Sequence, residues 1–224
     1  MLIVFSGLDG AGKSTQIELV LADLRTQGIN PVYLWVRGGY TPLFNAAKSV
    51  LRRLSGGRIV PPSGQSATRT KAMRQSWKRR LWLWLAMLDL IVVFGVQIRW
   101  WRWQGRPIIC DRYIWDTLID FRLNFSQEAV ERWWLWRVLL QVTPIPDVAF
   151  LLLIPVEESV RRSQLKNEPF PDAPDVLAVR LVQYESLAEQ GYWQVLDGRF
   201  PIEDIHQQIQ AHIGHPVKDA VHAD

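Results

Sequence analysis

The sequence predicts an α/β fold, a parallel sheet of about five strands with helices on both faces. Three observations carry this. Short apolar runs alternate with helix-patterned segments about five times along the 224 residues. The first run, L-I-V-F-S at 2–6, passes directly into a glycine-rich loop that opens a helical pattern. The run at 148–154, V-A-F-L-L-L-I, is apolar without alternation, as a strand covered on both faces must be.

The elements follow in order. Residues 2–6 read as a buried strand. From 13 to 27, Ile17, Val20, Leu21 and Leu24 recur at helical spacing, and Gly28 stops the helix. Residues 32–36 form the second strand. Thr41 and Pro42 open a helix, with proline at an allowed first-turn position, that ends by Gly56 and Gly57; 58–68 is a loop. A long helix, or two joined near Gly95, fills roughly 69–104. Gly105, Arg106 and Pro107 then turn into the apolar run Ile108, Ile109, Cys110, which ends in Asp111. Ser126 reads as the N-cap of a helix through Leu140, with Glu128 favourably placed in its first turn, and Pro144 and Pro146 break it. The strand at 148–154 is closed by Pro155, and 157–166 is helical before the loop N-E-P-F-P-D-A-P. A helix at 176–189, a strand at 193–196 and a helix at 202–213 complete one expected domain over 1–213. The tail at 214–224 is expected to be flexible.

Composition bounds the partners. Hydrophobic residues make up 48% and the mean hydropathy is −0.03, values of a globular chain rather than a disordered one. A formal charge of +4 and a pI near 9.4 favour anionic partners without choosing among nucleotide, nucleic acid and lipid. The one cysteine, Cys110, excludes an internal disulfide and fits a reducing compartment. The opening residues lack the basic start of a secretory leader, so a cytoplasmic location is expected.

Six of the twelve tryptophans lie between 77 and 103, four flanking and two within an apolar run at 81–98 that is long enough to cross a bilayer. Asp89 stands at its centre, where a carboxylate costs about 2.5–3.5 kcal/mol on insertion scales. Both flanks are basic. A buried or dimer-forming helix is the favoured reading, with a peripheral membrane contact through Trp100, Trp101, Arg102 and Trp103 as the other.

The chemistry starts at G-L-D-G-A-G-K-S-T, residues 7–15. Gly7, Gly12, Lys13 and Ser14 fit G-x-x-x-x-G-K-S/T, a loop whose backbone amides cradle phosphate at a helix N-terminus. Gly7, Leu8, Asp9, Gly10, Ala11, Gly12, Lys13, Ser14 and Thr15 are the candidate nucleotide contacts. Lys13 would reach the outer phosphates and Ser14 would bind Mg²⁺. Asp111 ends an apolar strand, where a carboxylate can act through Mg²⁺ or its waters, and Arg112 beside it can clamp a phosphate. A helix-capping Asp paired with its neighbouring Arg is the plainer alternative. Arg37 follows the second strand and could meet a second anion, or could be a solvated surface side chain. Arg162 and Lys166 share a face of the helix before the Pro-rich loop. They suit a lid at about 161–175 that closes over the transferred phosphate, or simply a favourable positive charge at a helix C-terminus. The basic run from Arg69 to Arg80 reads first as a solvated face, and no nucleic-acid partner is expected.

Together these residues resemble the thymidylate kinase family of nucleoside monophosphate kinases. The carriers are the loop at 7–15, R-G-G-Y-T-P-L from Arg37, G-R-P-I-I-C-D-R-Y through Asp111, L-L-L-I-P-V-E-E-S-V-R-R-S-Q-L-K-N-E, and Y-W-Q-V-L-D-G. The resemblance covers nearly the whole chain and implies a P-loop kinase fold, ATP as donor, Mg²⁺, a deoxynucleoside monophosphate acceptor, most simply dTMP, and a homodimer. It implies that Asp9 approaches the acceptor's sugar hydroxyl and that Arg37 and Arg112 hold its phosphate. Asp111 would organise the metal region, Arg162 and Lys166 would be lid cations, and residues 197–200 would border adenine. The sequence departs from the family in three places. L-D-L-I-V with Asp89 stands where an Arg meets the thymine, Asp116 and Phe121 replace a Ser and a Gln after D-R-Y, and K-N-E-P replaces the lid's D-R-x-E. Kinase chemistry is therefore a firmer implication than thymine selectivity. The rivals are a kinase of this fold acting on another nucleotide, nucleoside or small phosphorylated acceptor, and a non-catalytic nucleotide-dependent module that meets a membrane or partner through the Trp-rich helix.

Overall fold

The computed structural model describes residues 1–36, 38, 44, 49, 53, 75–166 and 171–214. Most of the helix expected from Thr41, the loop at 58–68, the first residues of the long helix, the core of the Pro-rich loop and most of the tail lie outside the described residues. Contacts divide the chain into two compact units: Met1–Trp35, Trp100–Ile119 and Ile145–Asp224, and Val36–Arg99 with Asp120–Pro144.

The first unit is built on five parallel strands: β1 (Leu2–Gly7), β2 (Val32–Trp35), β3 (Ile108–Asp111), β4 (Val148–Leu153) and β5 (Trp193–Asp197), in the order β2-β3-β1-β4-β5. Leu2, Ile3, Val4 and Phe5 are wholly buried, and β3 and β4 are nearly so, because helices cover both faces of the sheet. Phe5 stacks on Phe150 of the next strand with ring centroids 5.1 Å apart. Helix α1 (Lys13–Thr26) turns the expected stripe, Ile17, Val20, Leu21 and Leu24, inward. The chain moves from β1 out to β2, returns to β3, and then crosses to β4 on the other side of β1. That reversal opens a crevice beyond the carboxyl ends of the central strands, where such sheets bind ligands.

The long helix runs as α2 (Ser76–Val92), a π-helical turn at Val93–Gln97 that contains Gly95, and α3 (Ile98–Trp103). By length and composition alone it could cross a bilayer. In the second unit Leu83, Ala86, Met87, Leu90 and Phe94 are fully covered, while Trp77, Leu88 and Val96 face outward.

Two stretches differ from the sequence expectation. A helix, α4 (Ile114–Asn124), follows the D-R-Y segment with no element foreseen there. The helix expected from Ser126 through Leu140 is two 3₁₀ turns, Ser126–Glu128 and Val130–Arg132, followed by α5 (Trp134–Val142). Tertiary pairing overrides the local cap. The Glu128 carboxylate is buried between Arg79 at 2.5 Å and Arg80 at 2.9 Å, and Ala129 takes a left-handed conformation, φ 40°, that ends the first turn. The remaining helices, α6 (Val156–Leu165), α7 (Pro174–Ala188) and α8 (Ile202–Gly214), match the expected positions within two residues.

Candidate active site

Strand β1 delivers the chain to the phosphate loop at Gly7, whose φ is 131°. A Cβ there would collide with the Leu152 carbonyl of β4, so only glycine lets the chain leave the sheet at this point. The N-terminus of α1 has no side-chain cap and no acid in its first turn. Its amides and the positive end of its dipole therefore suit a phosphate. Lys13 folds back over the loop and donates to the Gly7 carbonyl at 3.0 Å and the Leu8 carbonyl at 2.6 Å. Its Nζ lies 4.0 Å from Asp9 Oδ1. Burial first, and the nearby Arg112 guanidinium second, lower the Lys13 pKa to about 8.

Helix α6 braces this loop from outside. Ser159 Oγ donates to the Asp9 carbonyl at 2.7 Å. Arg162 donates from Nη1 to the Gly10 carbonyl and from Nη2 to the Gly198 carbonyl, both at 3.0 Å, and from Nε to Glu158 at 2.5 Å. Gly198, in the turn after β5, lies so close that a Cβ on it would sit 2.6 Å from the Ala11 carbonyl. One guanidinium thus ties the phosphate loop to the β5–α8 turn.

Register places Asp111 level with Phe5, at the end of β3 and next to β1. Asp111 is 7% exposed. Its Oδ2 accepts from the Tyr33 hydroxyl at 3.3 Å, and burial raises its pKa against the opposing pull of Lys13 and Arg112. Arg112 adopts φ 73°, a left-handed backbone that costs a residue with a Cβ about 1–2 kcal/mol. Its amide holds that turn by donating to the Phe5 carbonyl at 2.8 Å. Its Nη2 pairs with Asp9 Oδ1 of the phosphate loop. Its Nη1 reaches Tyr184 Oη at 3.1 Å and Asp116 Oδ1 at 3.4 Å.

The chemistry of these groups fits a divalent cation. Asp111 Oδ1 is buried with no hydrogen-bond partner among the described residues, a costly state for a carboxylate unless a cation or its water lies against it. Asp9, Asp111 and Asp116 set three carboxyl groups against the two basic side chains of Lys13 and Arg112. Among the described residues no group of three His, Cys, Asp or Glu side chains is placed to cage a metal. That suits Mg²⁺, which is held by one or two protein oxygens plus substrate phosphates.

Of the residues singled out from sequence, the structure brings Asp9, Lys13, Asp111, Arg112 and Arg162 together around the loop. Ser14 and Thr15 occupy the first turn of α1, with Ser14 exposed, and Leu8 and Ala11 are fully buried beneath the loop. Lys166 is exposed at the end of α6. Asp197, at the end of β5, forks with Arg199, and Phe200 beyond it is 56% exposed. Arg37 lies outside the described residues. Sequence reasoning missed Asp116 as a hub, together with Tyr184 and Ser159. Asp116 had one local signal, an acid in the first turn of α4 whose carboxylate accepts from the Tyr113 amide at 2.8 Å, half of a capping box.

A five-stranded parallel sheet in this order, with an uncapped glycine-rich turn and a lysine after the central strand, defines a P-loop kinase fold. Comparison with known proteins agrees and narrows the class. The thymidylate kinase family model matches residues 98–209. The chain is 31% identical to the thymidylate kinase of Desulfotalea psychrophila, over 72% of this chain and 67% of that one. It is 29% identical to that of Chlorobium phaeobacteroides, over 93% and 92%. It is 26% identical to that of Prochlorococcus marinus, over 97% of both chains. The chain belongs to the thymidylate kinase family and is a nucleoside monophosphate kinase.

Proposed function

We propose that this kinase transfers the γ-phosphate of ATP to dTMP, giving dTDP and ADP, in a Mg²⁺-dependent reaction. The observation that carries the reading is the ion pair from Asp9 of the phosphate loop to Arg112 at the end of β3. It puts a donor-binding loop and an anion-binding guanidinium in one crevice. The loop amides and the α1 N-terminus hold the donor's β- and γ-phosphates, and Lys13 leaves the Gly7 and Leu8 carbonyls to meet them. Arg112 takes the acceptor phosphate with its planar fork. An acceptor phosphate oxygen then bonds to the γ-phosphorus as the bond to the bridging β-oxygen breaks, and ADP leaves. Ser14 and Asp111 would hold the metal, which when bound neutralises charge on the β- and γ-phosphate oxygens. The protein's part is alignment and charge stabilisation. Lys166, exposed at the end of α6, is a lid cation in this reading.

A coupled ADP-release assay against a panel of nucleoside monophosphates tests the acceptor. One departure, the buried Asp89 in L-D-L-I-V where the family carries an arginine, favours a second reading with another base. Release with another monophosphate and none with dTMP would establish that reading and leave the kinase chemistry intact. Asp9→Ala separates the two substrates. The acceptor KM should rise about tenfold or more, on the order of one lost charge-assisted contact, while the ATP KM moves much less. Unchanged acceptor kinetics would remove Asp9 from acceptor binding.

A further inference from the structure

We propose that Asp116 is a positioning residue for the acceptor side of the reaction: it fixes the Arg112 guanidinium in the pose that receives the acceptor phosphate. The inference rests on the reading that Arg112 binds that phosphate. Asp116 is 1% exposed, and donors from separate parts of the first unit converge on it. Oδ2 accepts from Ser6 Oγ of β1 at 2.5 Å and from the Tyr113 amide at 2.8 Å. Oδ1 accepts from Tyr184 Oη of α7 at 2.7 Å and from Arg112 Nη1 at 3.4 Å. A buried carboxylate with this many donors is held in one place, because any rotation strands a polar group away from water.

Arg112 is therefore gripped unequally at its two edges. On the inner edge, Nη1 meets Asp116 and Tyr184, both fully enclosed. On the outer edge, Nη2 meets Asp9, whose side chain is 36% exposed and stands on the loop. An incoming phosphate can take or share the outer edge without disturbing the inner one. A long, flexible side chain is thus oriented before substrate arrives, which removes an ordering cost from acceptor binding. Asp116 also stands where the family pattern carries a serine, which is neutral and cannot engage the guanidinium as an ion pair.

Two variants test this. Asp116→Asn keeps the shape but loses the charge and one acceptor oxygen, and Tyr184→Phe removes a single hydroxyl. In the ligand-free protein, ¹⁵N exchange NMR of the Arg112 Nη groups should show guanidinium rotation at least about tenfold faster in Asp116→Asn than in wild type. In turnover, the acceptor KM should rise about tenfold while the ATP KM stays within about twofold. Tyr184→Phe should shift both readouts in the same direction by less, and the double variant should fall short of the product of the singles, as coupled neighbours do. Unchanged rotation, equal shifts in both KM values, or strict additivity would overturn the proposal. If Asp116→Asn fails to fold, Tyr184→Phe carries the same readouts. If the wild type phosphorylates no monophosphate, the functional reading fails, and the rotation rates still decide whether Asp116 holds Arg112.

Discussion

Lys13→Met should lower phosphoryl transfer by on the order of 10²–10³-fold, the loss typical of removing one preorganised charge-stabilising donor, and should flatten one limb of the pH–stability profile. The second effect follows from burial. Lys13 titrates near pH 8 when folded and near 10.5 when unfolded. Below pH 8 both states carry the proton, and the folded state bears the full cost of a desolvated ammonium. Between about 8 and 10.5 the unfolded chain binds more protons than the folded one, so stability rises with pH across that window. The gap corresponds to roughly 3 kcal/mol at most. Urea unfolding at pH 7.5 and 10.5 should show the wild type gaining on Lys13→Met over that interval. Parallel profiles would mean that Lys13 is not held in a desolvated site, and near-normal turnover would take the loop out of the mechanism.

Arg112→Ala should be as damaging to turnover, with the loss concentrated in the acceptor KM and kcat rather than in the ATP KM. It removes the guanidinium between Asp9 and Asp116 and leaves Asp116 buried without its cation. Breaking a buried pair from one side costs about 3–5 kcal/mol, and here the other donors to Asp116 should hold the loss to the lower end. Arg112→Gly isolates the backbone contribution. Because φ is 73° at this position, the glycine variant should be more stable than the alanine variant by about 1 kcal/mol, although glycine is ordinarily the less stable choice. Thermal denaturation of the pair decides it. Alanine equal to or above glycine would mean that the left-handed turn is not strained in the folded protein.

What could be read from the sequence depended on how local the cause was. Strand β1, the loop and α1 form one continuous stretch in which the apolar run, the glycines and the helical stripe each act within a few residues, so their form and placement were legible together. Asp111 and Arg112 were legible for the same reason, at the end of an apolar run. Asp116 was not, because its partners Ser6 and Tyr184 lie 110 and 68 residues away in the chain, and nothing in its neighbourhood sets it apart from an ordinary first-turn acid. Arg162 shows the converse limit. Its spacing from Lys166 suggested a pair of lid cations, but whether a guanidinium faces solvent or the carbonyls of Gly10 and Gly198 depends on how α6 packs against the loop. The supposed cap at Ser126 gave way to the pairing of Glu128 with Arg79 and Arg80, nearly fifty residues earlier in the chain.

The central claim is that the loop after β1 and the Asp111–Arg112 pair after β3 act on two substrates in one crevice. The most direct measurement is transfer of labelled phosphate from γ-labelled ATP, with Mg²⁺, to dTMP. Labelled dTDP that disappears with Lys13→Met and with Arg112→Ala is the predicted result. Label that reaches only water, at a rate indifferent to dTMP and to every other monophosphate, would contradict it.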